Sequence, residues 1–201
     1  MLLAGVTLGF SPAGNSLDRW MQTARRGGHE PLLQAPLEPF GYPTVNPGEN
    51  TLTVAGAAGG EFAALYASLA RTTNYVGVMN YMGARFTGDA AAMDPFIAEL
   101  GRRGLMYLDD GSSARSLGKD TALSAGVPAA TANVLLDQDP AAVTEQLDML
   151  EKVARAQGSA IGVASAFDQS IATIAAWIPA AEKRGIEIVP LSALANDPER
   201  R

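Results

Sequence analysis

The chain has 201 residues, with 15 Lys and Arg against 21 Asp and Glu, one His and no Cys, for a net charge of −6. Without Cys there is no disulfide, no thiolate nucleophile and no Cys-ligated zinc, and a Ser-His-Asp triad would have to use His29. The acidic balance carries no electrostatic footprint for nucleic acid or an anionic membrane, and no apolar run reaches the roughly 18 residues of a membrane span. An apolar fraction of 47% with 18% charged residues is globular. A chain of this length buries roughly 70% of its unfolded surface, so a single domain over residues 1–201 needs no staples.

The start, MLLAGVTLGF, is apolar but lacks a basic flank and a cleavage site, so it reads as a strand over 5–10 rather than a signal peptide. Asn15 or Ser16 caps a helix to about residue 26, with Leu17, Trp20, Met21 and Ala24 on one packing stripe and Gly27-Gly28 ending it. A strand over 31–34 follows. Residues 35–60 then carry four Pro and several Gly and read as one long loop. Further helices are expected over 61–70, 90–103, 119–125, after Asp139-Pro140, and over 169–183, where Pro179 should kink the chain and Trp177 packs. Between them lie short apolar runs over 75–79, 105–108, 133–137, 160–164 and 187–190, the look of strands covered on both faces. The alternation predicts an α/β fold with a mostly parallel sheet, and seven strand–helix steps favour a closed or nearly closed barrel.

Sites in such folds form at the C-terminal ends of the strands. There the sequence places Gln34, Pro36 and Glu38, then Asn80, Tyr81 and Arg85, then Asp109, Asp110 and Ser112, then Asp137, and finally Ser165 and Phe167. A rim of carboxylates, amides, aromatics and an Arg suits a carbohydrate. Asp109 and Asp110 are the candidate catalytic residues, able to supply a general base or one metal ligand. Glu38, Asn80, Tyr81, Arg85, Ser112 and Ser165 are the candidate substrate-binding residues. A strand-end Asp also serves as a helix cap, Asp110-Gly111 is an ordinary turn signal, and Arg85 suits an anion or its own loop equally. His29 falls at the opposite end of the strands and reads as structural or solvated. No Walker loop, no strand-borne GxGxxG and no GxSxG elbow is present.

Five segments, VTLGFSPAG, GGHEPLLQAPLEPFGYP, YVGVMNYMGARFT, RRGLMYLDDGSS and GSAIGVASAF, occur in order along nearly the whole chain. They resemble successive blocks of the divergent polysaccharide deacetylase family. The resemblance implies a distorted (β/α)7-type barrel related to metal-dependent carbohydrate esterases. It also implies hydrolysis of N- or O-acetyl groups on a cell-wall or capsular glycan, and a periplasmic or exported location. In the family a divalent metal, typically Zn²⁺, is held by an Asp and two His and activates a water. Here Tyr81 stands where the Asn-His-Met-Gly block has its His, and Ala164-Ser165 replaces a Gly-His pair. The strand that opens the family, ending in paired Asp, is expected to be missing. Asp109, Asp110 and Glu38 remain as hard oxygen donors, suited to weak Mg²⁺ or Ca²⁺ binding at most.

The resemblance therefore implies a deacetylase-like protein with weak or lost hydrolysis, no confident metal and retained binding of a glycan or cell-envelope partner. An active deacetylase with a carboxylate-based Zn²⁺ or Mg²⁺ site is the alternative. A different activity built on Asp109, Asp110 and Arg85 is a third reading. The barrel gap left beside residues 5–10 predicts either a homodimer across that strand edge or a terminal segment covering it.

Overall fold

The computed structural model describes residues 3–196. In chain order the elements are β1 (Leu8–Phe10), α1 (Leu17–Arg26), β2 (Pro31–Leu37), α2 (Val54–Ala58), α3 (Ala63–Leu69), β3 (Gly77–Met82), α4 (Ala84–Thr87) and α5 (Ala90–Arg102). They continue with β4 (Met106–Asp109), α6 (Gly118–Ser124), β5 (Ala129–Thr131), β6 (Val134–Leu135), α7 (Val143–Gln157), β7 (Gly162–Val163) and α8 (Asp168–Lys183). Strands β1 to β5 form one parallel sheet in sequence order, and β6 and β7 pair in a second, parallel ribbon. This is a mixed α/β fold, consistent with a distorted, barrel-like arrangement.

Period-two alternation along the strands divides the core. Leu33, Ala35 and Leu37 of β2, Val78 of β3, Tyr107 of β4 and Ala129 of β5 face the helices and pack with Met93, Phe96, Ile97 and Leu100 of α5. Phe86, Phe96 and Tyr107 stack edge-on in series, their centroids 5.5 and 6.0 Å apart. The intervening residues, Leu32, Met79, Met106, Leu108 and Ala130, face the other way and pack with Val163 and Leu191. That second cluster is the barrel interior. Burial on both faces explains why the inner strands are apolar throughout. Gly77 is required there, because a Cβ would lie 2.3 Å from Met106 Cγ and 2.6 Å from its carbonyl oxygen.

Four features differ from the sequence expectations. Residues 187–190 form no strand. They run beside the chain start, with Leu191 N donating to Thr7 Oγ1 at 2.9 Å and Ser192 N to Glu30 Oε2 at 3.1 Å. Gly5 allows this approach, since a Cβ there would sit 2.4 Å from Ile188 O. In place of that strand β5 forms from Ala-Ala-Thr, too small and plain to announce itself, and Asn196 exchanges two backbone bonds with Ala129. Residues 35–60 are ordered at their base by a parallel bridge between Leu37 and Leu52, followed by α2. Trp20 does not pack: it is 55% exposed, with the Arg19 guanidinium 5.4 Å from its ring centroid. Leu17, Met21 and Ala24 complete the stripe without it. Trp177 does pack, against the cluster of Val134, Leu136, Val143 and Leu147. His29 is tied into the fold, its Nδ1 donating to Val6 O at 2.8 Å. No helix is long and apolar enough to cross a membrane among the described residues.

Candidate functional site

The polar residues at the strand ends separate by the same alternation. Tyr81 lies two residues beyond Met79, Asp110 two beyond Leu108, and Ser165 two beyond Val163, and all three apolar residues belong to the interior cluster. Within β3 this puts Tyr81 on the interior register, one step above its floor, while Asp110 and Ser165 lie just past the ends of β4 and β7. Asn80 and Asp109 follow Val78 and Tyr107 instead and take the helix-facing register. Pairing places Tyr81 opposite Pro36, on the neighbouring strand.

The helix-facing pair is sealed. Asn80 is 3% exposed; its Nδ2 donates to Met82 O at 3.0 Å, and its Oδ1 accepts from Asp110 N at 2.8 Å and from Tyr107 Oη at 3.4 Å. Asp109 is 2% exposed; its Oδ1 accepts from Gly111 N at 2.9 Å and its Oδ2 from the Ser116 hydroxyl. Burial raises the Asp109 carboxyl above its ordinary range, against the bonds from Ser116 and Gly111, and Asp110 adds to the rise. Burial, with Asp109 and Asp110 nearby, likewise drives the Tyr107 phenol well up. The amide is held by Met82 O, Asp110 N and Tyr107 Oη and the carboxylate by Gly111 N and the Ser116 hydroxyl, so they hold the turn after β4 and the end of β3. The chain there is tightly constrained: Met82 has φ 56°, Gly83 has φ 87°, and a Cβ on Gly83 would meet Leu37 Cβ at 2.4 Å.

Glu38 and Arg85 pair with one another. Glu38 is 5% exposed, and its Oε2 also accepts from Val54 N at 2.7 Å, at the start of α2. Thr53 caps the same helix, accepting from Gly56 N at 3.1 Å. The carboxylate therefore stitches the end of β2 to α2 and to α4, which carries Arg85. Arg85 itself stays half exposed.

The interior-register residues are freer. Tyr81 is 44% exposed. Asp110 Oδ1 accepts from Ser112 N at 2.9 Å and from Ser112 Oγ at 2.6 Å, an Asx turn that leaves its second oxygen uncommitted. Ser165 N donates to Asp137 Oδ2 at 2.8 Å, which also accepts from Ser170 Oγ at 2.8 Å. Phe40 and Phe167, in the segments that follow β2 and β7, are each 62% exposed. Asp137 is marked by its strand-end position, whereas the supporting role of Ser116 has no sequence signal of its own, because it depends on a contact across a loop. Among the described residues no three Asp, Glu or His side chains converge as a metal-ligand group. Two surface depressions, of about 200 and 410 Å³, lie elsewhere, beside Tyr75 and Arg103 and beside Asp94 and Asp120.

Comparison with known proteins places the chain beside a family and a solved structure. The profile described as divergent polysaccharide deacetylase covers residues 2–195. The crystal structure of an uncharacterized protein from Agrobacterium tumefaciens C58 superimposes with a TM-score of 0.92 at 54% identity, covering 96% of this chain and 79% of that one. No match was found among curated proteins.

Proposed function

Because the chain belongs to the divergent polysaccharide deacetylase family, we propose that it is a glycan-binding member in which zinc-dependent deacetylation is weak or lost. The observation that carries this reading is how the oxygen donors at the strand ends are used. The carboxylates of Glu38 and Asp109 already hold protein donors. Asp110 has one oxygen left. At the two positions where the resemblance expects imidazole, Tyr81 offers a phenol and Ser165 a hydroxyl, both poor zinc ligands beside carboxylate and imidazole. This donor set does not fit the family's metal, so no hydrolytic step is assigned to it.

The same residues suit sugar recognition. Tyr81 presents an exposed ring, while Asp110 and Ser112 present a carboxylate oxygen and a hydroxyl held in a fixed turn. Hydroxyl groups of a glycan can pair with those oxygens, and an apolar sugar face can lie on the ring. Calorimetric titration with a tetramer of N-acetylglucosamine, alongside an acetate-release assay with added zinc, tests this. Binding without acetate release is the expected outcome. Chelator-sensitive acetate release would overturn the reading in favour of an active deacetylase with a carboxylate-based ligand set.

A further inference from the structure

Strand β2 is buried along its whole length at every position but one, and that position is Gln34. Register pairs Gln34 with Met79, Met79 with Leu108, and Leu108 with Ala130. These neighbours share the interior face and belong to the apolar interior cluster. Gln34 is thus the polar member of an otherwise apolar tier, directly beneath the pair of Pro36 and Tyr81. Its partial exposure shows that solvent reaches this side chain. The side chain lies beside Gly9 of β1, where an added Cβ would be in ordinary contact with Gln34 Cγ at 3.4 Å and Nε2 at 3.6 Å but would crowd Met79 Sδ at 2.9 Å.

A polar side chain in an apolar tier carries a desolvation cost that Met or Leu would avoid. The nearby Asn80 amide offsets that cost by holding three protein groups. The Gln34 carboxamide is held by none of the described residues, and it is not among the fully buried unpartnered polar atoms. It therefore keeps one donor pair and one acceptor free for a ligand that reaches this face of the sheet.

We propose that Gln34 is a ligand-recognition residue, whose carboxamide at the base of the strand-end opening pairs with a neutral hydroxyl or acylamino group of the bound glycan. This rests on the glycan-binding reading and adds the residue that selects for an uncharged group. The rim can accept several polar ligands, but the base, flanked by Met79 and Leu108, has no charge to receive an ion.

The test uses the intact chain and three probes: tetramers of N-acetylglucosamine, of glucosamine and of glucose. Binding is measured by calorimetry for the wild type and for Gln34→Met, with the ¹⁵N side-chain amide signals of the wild type followed by NMR. Methionine has nearly the same length and suits the tier, so the variant keeps or raises its melting temperature. The wild type is expected to bind at least one neutral tetramer, to disfavour the cationic one, and to shift its Gln34 amide signals. Gln34→Met is expected to weaken that binding at least tenfold. The neutral pair also sorts the recognised group: preference for N-acetylglucosamine assigns the acylamino group, and equal binding of glucose assigns a hydroxyl. Undiminished binding by a folded Gln34→Met chain overturns the assignment and leaves the glycan reading standing. Absence of binding to all three tetramers by the wild type overturns both.

Discussion

Asn80 and Tyr81 are neighbours in sequence, as are Asp109 and Asp110, yet each pair is split between two environments. Asn80 and Asp109 turn toward the helices, lose nearly all exposure and spend their polar atoms on the protein groups around them. Tyr81 turns toward the interior register and keeps free surface, and Asp110, just past the end of β4, keeps a free oxygen. The difference teaches that strand-end polar residues in this fold are of two kinds. One kind builds the turns, the other is presented by them, and a step of one residue decides which.

The largest expected effect therefore falls on the builders. Asn80→Ala leaves Asp110 N, Met82 O and the buried Tyr107 hydroxyl without their partner in a partly buried setting and should cost about 2.5 kcal/mol of stability. Asp109→Ala strands Gly111 N and the Ser116 hydroxyl and should cost about 2 kcal/mol. Urea unfolding of both variants checks these values, and a loss below about 0.5 kcal/mol in either would erase the distinction.

Asp109 also predicts a pH dependence. Its folded-state pKa is raised, so the folded chain binds the proton more readily than the unfolded one. Its contribution to stability is greatest below the ordinary carboxylate value, near pH 4, and declines as pH rises through the raised value. Asp109→Asn keeps an acceptor for Gly111 N and removes the titration. Its melting temperature should lose that downward slope, while the wild type retains it.

The smallest stability effect belongs to the presented side. Tyr81→Ala alters an exposed ring and should change stability by no more than about 0.5 kcal/mol. Its binding of the N-acetylglucosamine tetramer should nevertheless fall about tenfold, equivalent to about 1.4 kcal/mol. A variant that unfolds as readily as Asn80→Ala would show that Tyr81 is a builder after all.

A second charged contrast lies far from the opening. Glu151 takes both Arg155 and Arg184, and these partners pull its carboxyl down to about 2. That contribution is present above the ordinary Glu value and is lost as pH falls toward 2. Because the pair is near solvent, 0.5 M salt should remove most of the difference between wild type and Glu151→Gln, read as melting temperatures.

Much of the architecture was legible in the residues. Runs such as LMYL and YVGVM marked strands because a doubly covered strand must be apolar throughout. The blocks GGHEPLLQAPLEPFGYP and YVGVMNYMGARFT carried the family. Other features were hidden for physical reasons. Ala129–Thr131 has no branched or aromatic run to mark it, and its pairing comes from β4 and from Asn196, over sixty residues away in sequence. The helix Val54–Ala58 is masked by glycines and depends on Glu38, across a loop. Trp20 fits a helical stripe in periodicity, but the core needs only three of the four positions. Most of all, a list of polar residues after each strand does not say which face they take. Tyr81 and Asp110 part from Asn80 and Asp109 only once the register with Met79 and Leu108 is known.

The bridge between Leu37 and Leu52 has one more consequence. Glu38 N donates to Leu52 O, and Leu52 N to Pro36 O, both at 2.9 Å, so residues 39–51 hang from a closed neck. For a loop closed at its base, lengthening the tip is an entropic matter that grows only with the logarithm of length, about 0.6 kcal/mol for each doubling. The neck bears the structural load, while the tip, with Phe40 on its rising limb, is open to exchange. A longer or differently shaped tip can therefore be grafted above β2 with little thermodynamic penalty.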